Sequence, residues 1–130
     1  MFGIKAWDHV GVRVHSLERS LKFYERLGFK LEIDHEDGRA YEIVNEHGIR
    51  INLIVNAAYD SRGSNILLDE EVKHPGYTHP AFIIDNLDKL MEIIAKEKMT
   101  ITEGPNDVDR RRYIFIRDPD GNVLEFNELK

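Results

Sequence analysis

Cysteine is absent from this chain, which excludes disulfides, thiolate nucleophiles and zinc-finger ligation and is compatible with a reducing compartment. Long apolar runs are missing too, so no segment approaches the length needed to span a bilayer. The N-terminus lacks the basic start and apolar stretch of a secretory signal, and the cytoplasm is the expected location. A basic surplus is also lacking: the net charge is −6, which argues against broad nucleic-acid binding. The local exception is Arg110-Arg111-Arg112, read as a solvated turn before a strand, with a hold on an anionic ligand as the alternative. At 130 residues, 42% hydrophobic and 32% charged, the chain suits a globular protein. That length fits one domain, or two small half-domains sharing a core.

What is present is a repeat. His9-Val10-Gly11-Val12-Arg13-Val14 runs into a helical pattern at Leu17, Leu21 and Tyr24. Seventy positions on, His79-Pro80-Ala81-Phe82-Ile83-Ile84 runs into Leu87, Met91 and Ile94. Farther along, the segment from Asn45 to Asn52 answers the segment from Asp118 to Glu125 at an offset of 73. A histidine opens each copy, and Asn52 or Glu125 closes it.

The local patterns predict a β-α-β-β-β unit in each copy. Alternation over Asp8–Val14 gives a strand with Val10, Val12 and Val14 on one face and His9, Gly11 and Arg13 on the other. Ser16 is a suitable N-cap and Gly28 a suitable left-handed terminus for the helix between them. Strands follow near Lys30–His35, Arg39–Asn45 and Gly48–Asn56, separated by turns at Asp37-Gly38 and His47-Gly48. The second copy has a strand at His79–Ile84 and an Asn86-capped helix to about Lys98. Strands near Thr100–Glu103, Arg112–Arg117 and Asn122–Leu129 complete it. Module one thus covers about 5–57 and module two about 77–129 of a single domain. Residues 58–76 read as a linker, or a lid over a ligand, with a short element at Ile66-Leu67-Leu68.

Alternation also places the polar side chains. Arg50, Asn52, Ile54 and Asn56 share one strand face, and Val123, Glu125 and Asn127 share another. One helix cannot cover both faces of a sheet, so the uncovered faces should line a concave cavity when the modules pair. His9, His79 and Glu125 then converge. Two imidazoles and a carboxylate on rigid strands suit a divalent first-row metal: nickel, zinc, cobalt, manganese or iron. His15, His35, His47 and His74 have no repeat-equivalent support and are expected at the surface.

The segments His9–Val14, Ser20–Phe29 and Asp118–Phe126 resemble the vicinal oxygen chelate superfamily over nearly the whole chain. Within it, the pattern is most similar to glyoxalase I, or lactoylglutathione lyase. The resemblance implies an α+β fold of two βαβββ modules around a concave sheet cavity. It also implies metal ligands at His9, Asn52, His79 and Glu125, with Glu125 doubling as the catalytic base. Arg13 and Asn56 match glutathione-contacting positions, and Gly76-Tyr77-Thr78-His79 matches the entry into the second module. Asn52 departs from the glutamate that glyoxalase I carries there; an amide can ligate through its carbonyl but is a poor proton acceptor.

The implied activity is isomerisation of the glutathione hemithioacetal of an α-ketoaldehyde, with glutathione as cosubstrate. Alternatives within the resemblance are an iron(II) extradiol-type dioxygenase and a metal-dependent thiol transferase of the fosfomycin-resistance type. A metal-free bleomycin-type binding protein is a further alternative. A homodimer with shared active sites is expected, with a small-molecule substrate and neither nucleic acid nor membrane as partner.

Overall fold

The computed structural model describes residues 2–130 as two compact units, one reaching Asp60 and the other spanning Ser61–Lys130. In the first, β1 (Val10–Arg13) leads into α1 (Leu17–Arg26), then β2 (Lys30–Asp34), β3 (Ala40–Val44) and β4 (Arg50–Ile54). The second begins with a short α2 (Ile66–Asp69). It continues through β5 (Ala81–Ile84), α3 (Leu87–Lys96), β6 (Ile101–Val108), β7 (Arg111–Arg117) and β8 (Val123–Leu129). The sheets have matching orders, β1-β4-β3-β2 and β5-β8-β7-β6. In each, the opening strand runs parallel to the closing strand and the remaining pairs are antiparallel. The repeat seen in the sequence is therefore a repeat of topology, and the expected α+β architecture of two βαβββ modules is present.

Helix starts obey local chemistry. The Ser16 hydroxyl accepts from the Arg19 N–H at 3.3 Å, and the Asn86 carbonyl oxygen accepts from the Lys89 N–H at 3.0 Å. The Glu128 carboxylate, reaching over from β8, accepts the Leu87 N–H at 2.7 Å, a favourable place for an anion. Gly28 ends α1 at φ +93, whereas the equivalent left-handed position after α3 is Lys98 at φ +58. Helix α3 therefore stops at Lys96, two residues short of the expected end.

The buried face of α1 centres on Ser20, Phe23 and Tyr24, with the expected Leu17 and Leu21, and Leu27 after them, only half-buried at its margins. Tyr24 stands edge-on to Phe23 and Phe29, with ring centroids at 5.0 and 6.0 Å. Val12, Val14, Ile43, Ile51 and Leu53 complete the first core. The second gathers Leu87, Ile94, Ile114, Ile116, Leu124 and Phe126. Each such side chain, fully buried, contributes roughly 1.5–3 kcal/mol. The opposite faces carry Arg50, Asn52, Glu125 and Asn127 together with apolar Ile54, Phe115 and Val123. No helix among the described residues is long and apolar enough to cross a membrane.

Part of the stretch read as a linker or lid, residues 61–69, belongs to the second unit and is tied down there. Ser61 donates to the Asp120 carbonyl at 2.6 Å, and the Asn65 amide donates to the Gly121 carbonyl at 3.0 Å. Arg117 grips Asp69 through two bonds of 2.7 Å each. Arg112 likewise bonds Asp88 at 2.9 Å, giving one member of the arginine run a structural partner on α3.

Gly121 has φ +82, and a Cβ there would lie 2.2 Å from the Ser64 carbonyl oxygen. Gly121→Ala should therefore lower stability by more than ~1 kcal/mol and expose residues 61–65 to protease. Urea unfolding together with limited proteolysis checks this, and an unchanged midpoint would refute it. The Arg117 fork also holds the Asp69 carboxyl well below its ordinary value of 3.8. A depressed folded-state value stabilises above the unfolded value, and that stabilisation fades as pH falls through and below ~4. Asp69→Asn should flatten this part of the acid limb in a stability–pH curve.

Candidate functional site

The parallel ladder of each unit fixes where the polar residues stand. In the first, Gly11 pairs with Asn52; in the second, Ala81 pairs with Glu125. These pairs are repeat-equivalent, so the correspondence between Asn52 and Glu125 holds in the strand register. The Glu125 N–H also donates to the Pro80 carbonyl at 3.1 Å, bringing the closing strand beside the residue that follows His79.

In the second unit His79 and Glu125 meet. The imidazole Nε2 lies 3.4 Å from Glu125 Oε1, with the two side chains 27% and 13% exposed. Two donors each about 2.1 Å from one ion, at a near-tetrahedral angle, stand about 3.4 Å apart. The pair therefore has a separation that fits two ligands of a common cation. With the histidine protonated, the same contact is an ion pair. His79 Nδ1 lies 2.9 Å from the Thr78 hydroxyl, and the Phe115 ring packs at 4.9 Å from the imidazole. With Nδ1 donating to the hydroxyl, Nε2 presents its lone pair towards Glu125.

The first unit repeats this device. His9 Nδ1 lies 2.6 Å from the Asp8 carboxylate, so in each unit the residue preceding the histidine engages the same ring nitrogen. Asn52 is half-buried, and its carbonyl oxygen is buried without a hydrogen-bond partner. An acceptor left in that state costs about 1–3 kcal/mol, which suits an oxygen reserved for a ligand or cation. Arg13 Nε donates to Asn56 Oδ1 at 2.8 Å, joining the two residues that the resemblance pairs at a thiol cosubstrate. Among the described residues, no group of three or more His, Asp or Glu side chains is gathered that could hold an ion.

Glu42, which lies opposite Asn52 in the β3–β4 ladder, is a participant that sequence reasoning did not single out. Its carboxylate is 2.6 Å from His35 Nε2 and 3.4 Å from Arg50, which bonds Glu32 at 2.9 Å. His35 is therefore a half-buried partner of a carboxylate, while His15, His47 and His74 are exposed as expected. The signal that could have found Glu42 was alternation along Ala40–Val44. It places Glu42 on the face opposite buried Ile43, but register across strands was needed to set it beside Asn52.

Replacing Asn52 by leucine removes an unsatisfied buried acceptor while keeping the branched shape and the number of heavy atoms. Stability should stay level or rise by up to ~1 kcal/mol. Denaturant unfolding of the variant measures this, and a clear loss would mean that the oxygen is satisfied in solution.

The sequence profile described as "Glyoxalase/Bleomycin resistance protein/Dioxygenase superfamily" matches residues 6–126. The metallothiol transferase FosB of Lysinibacillus sphaericus (strain C3-41) is 30% identical over 95% of this chain and 82% of its own length. A protein of Bacillus subtilis (strain 168) named "Probable trivalent organoarsenical cleaving enzyme" is 28% identical, over 91% of this chain and 76% of its own length. Among solved structures, the glyoxylase/bleomycin resistance protein/dioxygenase domain from Frankia sp. EAN1pec aligns with a TM-score of 0.77. It is 23% identical, over 98% of this chain and 94% of that one, and shares the fold. The chain belongs to the Glyoxalase/Bleomycin resistance protein/Dioxygenase superfamily.

Proposed function

We propose that this protein is a metal-dependent enzyme that joins a thiol to a small electrophile bearing oxygen atoms. The observation that carries the reading is the His79–Glu125 pair, with a separation that suits two ligands of one cation. His9 is the third ligand, with the Asn52 carbonyl oxygen available as a fourth donor. The same reading includes a homodimer in which two copies share the sites, closed twofold pairing being the commonest oligomer.

A divalent ion held by these residues would supply Lewis acidity, drawing charge from a substrate oxygen as a bond to it breaks. The imidazoles contribute neutral donors, and Glu125 contributes one negative charge that offsets part of the ion's charge. Arg13, held by Asn56, faces the anionic end of the thiol cosubstrate. In the reaction, thiolate sulfur forms a bond to an electrophilic carbon, as in an epoxide. The carbon–oxygen bond breaks, and the oxygen takes up a proton. No carboxylate base is required at position 52, and an amide could not act as one near neutral pH. Kinship with a metallothiol transferase at 30% identity supports this reading over isomerisation.

The second reading is the glyoxalase-type isomerisation; the Arg13–Asn56 bond suits glutathione in either reaction and does not choose between them. Isomerisation needs Glu125 to leave the cation and take a carbon-bound proton.

Protein loaded in turn with manganese, zinc, nickel and iron, then offered a thiol with an epoxide, should form the thioether adduct. Thioester from methylglyoxal and glutathione would instead select the isomerase. Oxygen uptake with a catechol would select the dioxygenase, and tight ligand binding without any metal uptake would select sequestration. His79→Ala should reduce metal uptake to background while the unfolding midpoint stays close to that of the parent protein.

A further inference from the structure

Asn127 is the one polar side chain in the second unit's sheet that is almost wholly buried, at 4% exposure, and also bonded to a proposed ligand. It stands two residues beyond Glu125 on the same face of β8, opposite Ile83 and Tyr113 in the neighbouring strands. Its amide nitrogen donates to Glu125 Oε2 at 2.7 Å and to the Phe82 carbonyl at 3.3 Å. Its own carbonyl oxygen is buried with no hydrogen-bond partner.

The orientation of the amide follows from its neighbours. Both flanking groups are acceptors, and an amide nitrogen carries two hydrogens, so both hydrogens are used. The opposite orientation would set a carbonyl oxygen against a carboxylate oxygen at 2.7 Å. Aspartate in its place would bring a second anion against the same acceptors. A residue serving packing alone would not leave its oxygen unsatisfied in the interior. The arrangement uses Asn127 as a double donor and leaves the acceptor stranded.

From this geometry we infer that Asn127 is a positioning residue that clamps Glu125 Oε2, so that Oε1 alone is presented towards His79 Nε2 and a bound cation. This rests on the metal-dependent reading above and deepens it. Glu125 becomes a one-oxygen ligand, restrained from rotating to grip the ion with both oxygens. The restraint also limits its movement off the ion to act as a base, which favours thiol transfer over isomerisation. The clamp is anchored to backbone, because the second hydrogen goes to a main-chain carbonyl of β5, the strand that His79 leads into. Ligand pair and clamp are thereby tied to one strand pairing.

The test is titration of the full-length protein with zinc, and separately with cobalt(II), whose visible absorption reports the number of ligands around it. Asn127→Leu keeps the branched shape and the number of heavy atoms, removes both donors and eliminates the stranded oxygen. It should weaken metal binding by about 10–100-fold, a range expected when a ligand's hydrogen-bond partner is lost. Its cobalt absorption should shift towards that of a higher coordination number, while cooperative unfolding is retained. Asn127→His, which offers a ring N–H near the position of the amide donor, should restore most of the affinity and the parent spectrum. The inference is overturned if the leucine variant matches the parent in affinity and spectrum. It is equally overturned if the histidine variant folds cooperatively but behaves like leucine. If the parent protein takes up neither metal, the metal-dependent reading fails and the clamp falls with it. If His79→Ala loses metal while Asn127→Leu does not, only the clamp is refuted.

Discussion

The parallel pairing of the opening and closing strands in each unit is the constraint on which the rest depends. Strands that are first and last in a module come to lie side by side, with the middle strands added outward. A histidine just before the opening strand is thereby brought close to a polar residue inside the closing one. Backbone hydrogen bonds set that spacing, and the bond from Glu125 N–H to the Pro80 carbonyl lies beside the His79–Glu125 pair. Side-chain alternation sets the face, because Leu124 and Phe126 are committed to the core. A one-residue slip would turn Glu125 inward, so the apolar core also enforces the chemistry of the opposite face.

The two units use this common frame differently. The second carries the compact His79–Glu125 pair, braced by Thr78, Phe115 and Asn127. The first carries a neutral amide in the equivalent place, flanked across the ladder by Glu42 with His35 and Arg50. Both closing strands hold a buried carbonyl oxygen without a partner, on Asn52 and on Asn127. Groups left in that condition oppose folding, and such departures from local consistency concentrate at functional sites. The apolar cores beneath must offset them.

Much of this was legible from residue order because the governing interactions are local. Ser16 and Asn86 cap the helices through bonds to residues three positions on, and alternation in short strands reports directly which face meets the core. The failures were of a different kind. Helix α3 was expected to run to about Lys98; it ends at Lys96, and Lys98 adopts the left-handed conformation that glycine serves in the first copy. Strand β6 extends to Val108, well beyond Glu103, because irregular pairing with β7 carries it past Gly104-Pro105. Residues 61–69 had no periodicity to read, since their order comes from side-chain bonds to Asp120, Gly121 and Arg117, more than forty positions away.

By itself the sequence determined the repeat, the order of elements, the capping residues and the strand face on which Asn52 and Glu125 stand, whereas His9 and His79 precede their strands. Those depend on near neighbours and on hydrophobic pattern. Only the tertiary structure decided that Glu125 faces His79 at ligand spacing, that Asp8 and Thr78 engage the same ring nitrogen of their histidines, and that Glu42 lies beside Asn52. It alone decided that Asn127 spends both hydrogens on distant acceptors. Those outcomes depend on strand register and rotamer, which arise when separated segments pack against one another.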